Sequence, residues 1–78
     1  MPTKLWKIGE CASYGKWRAT VKGNKLILEG IDWYTDKVEE TMTFTNSDVV
    51  SVTEFLEERM HYWVAEKILD WIKEHLID

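Results

Sequence analysis

Cysteine occurs once in the 78 residues, at Cys11, so no disulfide can form within the chain. Secreted domains of this size ordinarily carry several such staples, and their lack points to a reducing, cytoplasmic setting. Proline is confined to Pro2, and Gly9, Gly15, Gly23 and Gly30 are the sole interior punctuation. No proline-rich linker, low-complexity tract or repeat is present, and a single domain spanning residues 1–78 is expected. No apolar run approaches the roughly 20 residues of a membrane-spanning helix, and "MPTKLWKIGECAS" lacks the apolar centre of a signal peptide. A glycine-rich phosphate loop, a paired-cysteine metal motif and a nucleophile elbow are all missing.

A hydrophobic content of 45% and a charged content of 31% are those of a globular chain. The net charge of −4 conceals a division. Residues 1–25 hold Lys4, Lys7, Lys16, Arg18, Lys22 and Lys25 against Glu10 alone, whereas the remainder holds four cations against thirteen acids. Such a split describes either a basic binding face on an acidic body or two halves that attract each other within one fold.

Residues 16–22, "KWRATVK", alternate: Trp17, Ala19 and Val21 point one way, Lys16, Arg18, Thr20 and Lys22 the other. Gly23-Asn24 suits a two-residue hairpin turn, with residues 25–31 as the return strand. That turn sets Val21 opposite Leu26, Ala19 opposite Leu28 and Trp17 opposite Gly30, with an Arg18–Glu29 ion pair on the other face. Residues 3–8 form a candidate first strand and residues 37–45 a fourth, expected to pair Leu28 with Phe44 and Gly30 with Met42 around a tight loop at residues 35–37. The fold class is therefore α+β: a four-stranded antiparallel β-meander followed by a long C-terminal α-helix, ββββα.

Ser51 and Glu54 have capping-box spacing and would start the helix near Val52, the alternative being a start at Ser47 or Asp48. Val52, Leu56, Met60, Val64, Ile68, Ile72 and Leu76 then recur at spacing four. Each step rotates by about 40°, so the ladder winds about 240° around the axis. One flat surface cannot bury it. The helix must kink or split near residues 59–61, cross a strongly twisted sheet, or bury its second half against another chain. Val64, Ala65, Ile68, Leu69, Trp71, Ile72 and Leu76 cover about half the circumference, wider than one core-facing stripe. This surplus is the reason to expect homodimerisation through the C-terminal helix.

Catalytic groups are sparse. His61 and His75 would lie about 21 Å apart along a continuous helix, too far to share a metal, and each reads as a core-edge histidine. Cys11 reads as a small buried thiol; a pocket joining it to a histidine would reopen the question of catalysis. Alternation puts Glu40 on the apolar face, where it is expected to reach water beyond the helix rather than face Lys or Arg. Trp63 falls in the polar arc of the helix, either completing the stripe beside Leu56 and Met60 or standing exposed.

The expectation is a non-catalytic protein-interaction module with no cofactor, metal or membrane partner: an adaptor, inhibitor or immunity-type protein of the kind microbes and phages use. Trp33, Tyr34, Trp63 and Trp71 are its candidate contacts, since large aromatics anchor interfaces. The alternative is a single-stranded nucleic-acid binder using Lys16, Arg18, Lys22 and Lys25. Four antiparallel strands and a long helix resemble, in topology, the layout of the Whirly and transcription-coactivator class of single-strand binders, none of whose motifs is matched. That resemblance implies phosphate contacts from these four residues and from Lys4 and Lys7. Alternation separates Trp17 from the cations, which weakens a stacking platform, though Tyr14 could join the basic face.

Overall fold

The computed structural model describes residues 1–45 and 48–76. The strands are β1 (Thr3–Lys7), β2 (Gly15–Lys22), β3 (Lys25–Asp32) and β4 (Val38–Thr45), followed by helices α1 (Val49–Glu57) and α2 (Tyr62–His75). They form one antiparallel sheet in the order β1-β2-β3-β4 with the helices after it, an α+β arrangement. Burial along β2 alternates residue by residue, with Trp17, Ala19 and Val21 inside. The two-residue turn, with Gly23 at φ 64°, gives the expected β2–β3 register, including Trp17 opposite Gly30 and Arg18 opposite Glu29.

The β3–β4 register differs from expectation by two residues: Leu26 faces Phe44, Leu28 faces Met42 and Gly30 faces Glu40. A two-residue slip keeps every side chain on its own face, so alternation alone could not detect it. A bulge between Gly30 and Ile31 shifts the pairing by one further residue and puts Val38 opposite Ile31. As a result Met42 stands 43% exposed and only Phe44 of β4 enters the core.

The helical segment is two helices. Asp48, not Ser51, caps the first: its Oδ1 accepts from Ser51 N–H at 3.2 Å. Val49 and Val50 therefore lie inside α1, while Ser47, the other alternative start, lies outside the described residues. The break at residues 58–61 is sewn to the β1–β2 loop. Ser13 N–H donates to Arg59 O at 2.6 Å, His61 N–H donates to Cys11 O at 2.9 Å, and Ala12 bridges Met60.

The split resolves the winding of the ladder. Val52, Leu56, Met60, Val64, Ile68 and Ile72 are each at most 7% exposed, so both halves of the stripe meet the same core. Ala65 and Leu69 are buried beside them, and Trp71 and Leu76 pack partly buried against the cluster. Five of the seven residues of the wide apolar arc are thus buried within one chain, and Trp71 and Leu76 are covered in part. Phe55 centres the other end, edge-on to Trp17 at 5.8 Å and to Phe44 at 5.6 Å. No described helix is long and apolar enough to cross a membrane.

Candidate interaction surfaces

The β3–β4 connection is tied before it presents its aromatics. Asp32 Oδ1 accepts from Tyr34 N–H at 2.9 Å and Thr35 N–H at 2.8 Å, an Asx turn that replaces two backbone partners with one side chain. These two bonds hold the Asp32 carboxyl below its ordinary range. Asp36 takes the left-handed conformation at φ 60° and donates its N–H to Asp32 O. Lys16 pairs with Asp36 and sits 5.5 Å over the Trp33 ring. Trp33 also donates its N–H to Tyr14 O and lies against Gly15, where an added Cβ would come within 3.0 Å of Trp33 Cβ. On this support Trp33 is 42% and Tyr34 90% exposed. With Gly9, Glu10, Ala12 and Tyr14 they line a cleft of about 370 Å³.

Tyr14, at φ 66°, turns its ring onto the helix side of the sheet, over Gly30 and 5.9 Å from Trp17. It does not join the basic face. Its hydroxyl donates to Glu40 Oε1 at 3.3 Å. Partial desolvation, and then the Glu40 charge, raise the Tyr14 hydroxyl above its usual value. Contrary to the expectation from the sequence, Glu40 does not extend freely into water but takes a two-pronged bond from Arg59, and its side chain is 26% exposed. The Arg59 bonds hold the Glu40 carboxyl low and push the guanidinium up. Two signals in the sequence bear on this pair: the inward parity of Glu40, and the position of Arg59 where a break was one of three ways to bury the ladder.

Trp63 and Trp71 belong elsewhere. Trp71 is partly buried, edge-on to Trp6 at 5.5 Å and stacked on His75 at 4.3 Å. Trp63 is 44% exposed, 5.5 Å from Lys67 Nζ, and lines a separate cleft with Trp6, Lys7, Ile8 and Val64. No ring contact joins Trp63 or Trp71 to Trp33 or Tyr34, so the four aromatics do not share one cleft.

Lys16, Arg18, Lys22 and Lys25 lie on the sheet face away from the helices, as alternation requires. Arg18 is taken up by Glu29 at 2.8 Å, which raises the guanidinium pKa, and Lys16 by Asp36. Lys22 and Lys25 face each other, exposed, with no ion pair to any described residue. Trp17 is fully buried on the opposite face, its Nε1–H donating to Ser13 O at 2.9 Å.

Cys11 and His61 do line one open cleft of about 600 Å³, with Glu10, Glu57, Glu58 and Tyr62. The bond between the two residues is made by the backbone, and the Cys11 thiol makes no hydrogen bond to the His61 ring. Among the described residues no three His, Cys, Asp or Glu side chains converge as metal ligands. Comparison with known protein families, curated proteins and solved structures finds no match to this chain.

Proposed function

We propose that this chain is a non-catalytic protein-binding module of the adaptor, inhibitor or immunity type, making its contact through the Trp33–Tyr34 tip. One observation carries the reading: two large aromatics stand in solvent on a turn whose conformation is already fixed by Asp32, Asp36 and Lys16. Exposed side chains on a loose loop lose conformational freedom on binding; a tied turn avoids much of that cost. Aromatic anchors contribute disproportionately to interface energy.

The test is affinity capture from the native host with the wild type and a Trp33→Ala/Tyr34→Ala variant, each checked for folding by circular dichroism. A protein retained by the first and lost by the second supports the reading. Identical captures from both would end it.

The second reading, single-stranded nucleic acid on the basic sheet face, is supported by the exposed Lys22–Lys25 pair. Binding of labelled oligonucleotides that weakens steeply with salt, and is lost in Lys22→Glu/Lys25→Glu, would favour it over the first.

A further inference from the structure

The two edges of the sheet are unlike. β1 has five residues, carries Lys4 and Lys7, and follows Pro2, all devices that discourage another strand from pairing. β4 has eight residues, with no lysine, arginine or proline. The two-residue turn makes Lys22–Lys25 a hydrogen-bonded pair, and the alternation that follows gives β3 to Glu40, Met42 and Phe44 as their partner strand. The N–H and C=O of Thr41 and Thr43 therefore turn outward, and no backbone bond from another described element reaches them.

Beside that edge runs a groove of about 340 Å³ between β4 and α1. Met42, Phe44 and Phe55 supply its apolar lining, with Ser51 and Glu54 on α1 and Glu58 just past its end. Glu40 and Arg59 also line the groove but are bonded to each other. Glu54 makes no ion pair with any described residue, and Glu58 keeps 76% of its side chain exposed while touching Arg59 at 3.6 Å. The groove thus offers an open strand edge, a greasy lining and uncompensated negative charge.

We propose that β4 accepts an extended, basic segment of a partner protein as a fifth strand. Its backbone would pair with Thr41 and Thr43. Alternate Lys or Arg side chains would lay their stems along Met42 and place their charges at Glu54 and Glu58. A second copy of this chain is the poorer occupant, because its own β4 edge carries no lysine or arginine to meet Glu54 and Glu58 and would bring further acids to the groove. The proposal rests on the reading of the chain as a protein-binding module, but not on the Trp33–Tyr34 tip.

The experiment uses a fluorescein-labelled octapeptide of alternating lysine and valine, followed by polarisation at moderate salt. Saturable binding is expected, weakened at least about tenfold by Glu54→Lys/Glu58→Lys and unchanged by Trp33→Ala/Tyr34→Ala. The fully N-methylated peptide, which keeps the charge and loses the backbone donors, should not bind, nor should an alternating glutamate–valine peptide. In the complex the Thr41 and Thr43 amides should gain protection from exchange. Equal binding of the N-methylated peptide, absence of saturation, or pairing of copies through β4 in sedimentation would each overturn the proposal. Host capture that depends on Trp33 and Tyr34 alongside a silent peptide would overturn the strand site alone and leave the protein-binding reading standing.

Discussion

Arg59 grips Glu40 with two parallel bonds, Nε to Oε1 and Nη2 to Oε2, each 2.8 Å long. A third donor, Nη1, reaches Phe55 O at 3.0 Å, and the guanidinium lies 3.8 Å over the Phe55 ring. One side chain in the break between two helices thereby fixes that break to β4 and closes the end of α1. The planar fork suits this task; an ammonium could not reproduce it.

Glu40→Gln should lower stability at pH 7 by about 1–2 kcal/mol, as expected for a charge-assisted pair that is only partly buried. Because Arg59 holds the Glu40 carboxyl low, its contribution is complete above the ordinary glutamate value of about 4.3 and is lost as pH falls through the lower folded value. Urea denaturation should therefore show the two proteins separated at pH 7 and converging in acid. The Asp32 carboxyl, held low by its Thr35 and Tyr34 bonds, is the same in both proteins, so the difference between them isolates Glu40. A gap that persists below the folded value would contradict the assignment.

Gly30→Ala should destabilise by about 1–3 kcal/mol through overpacking. An added Cβ would fall 2.5 Å from Tyr14 Cδ2 and 3.1 Å from Trp17 Cη2. Tyr14 is 39% exposed and can swing away, but Trp17 is locked in the core. Tyr14→Ala in the same chain should therefore recover part of the loss. Chemical denaturation of both single variants and the double variant measures that coupling; strict additivity would show that the contact does not matter.

Ile68→Ala should cost about 2–5 kcal/mol, since its side chain is fully buried within the single chain. If the core seen within one chain is sufficient, the melting midpoint should not move with protein concentration, since Val64, Ala65, Ile68, Leu69 and Ile72 are already buried there. A midpoint rising with concentration would instead favour the dimer that the apolar arc of the sequence suggests.

What the sequence could specify was local. Gly23-Asn24 leaves one sensible register, and the β2–β3 pairs follow from it. The β3–β4 register depends on a longer connection and a bulge, and a slip by two leaves no trace in alternation. The spacing-four ladder showed that one flat surface could not bury a straight helix, yet the break, one of three remedies, was decided by distant partners: Cys11, Ser13 and Glu40. The helix takes the alternative start at Asp48 rather than the one near Val52, because a direct Asp48 cap three residues earlier prevails over the capping-box spacing of Ser51 and Glu54. Of the candidate contacts, Trp33 and Tyr34 stand out in solvent, whereas Trp71 lies partly inside, because its helix face was shared between core and surface.

Asp32→Ala should leave the core intact and loosen the tip. Tyr34 and Thr35 would lose their shared acceptor, so their amides should exchange faster with solvent while core amides do not change. Tyr34→Ala, by contrast, should alter stability by no more than about 0.5 kcal/mol, its side chain being almost wholly in water. Slowed exchange at the tip of Asp32→Ala would refute the role given to that carboxylate.

The seam that joins Ser13 to Arg59 and Cys11 to His61 has a consequence for biosynthesis. A chain leaving the ribosome presents its first loop long before the residues that close it, so the hairpins must wait, incompletely covered, until the second helix arrives. Severing the opening fifteen residues would therefore remove more than a peripheral strand: the last helix would lose the strip of backbone that sets its direction.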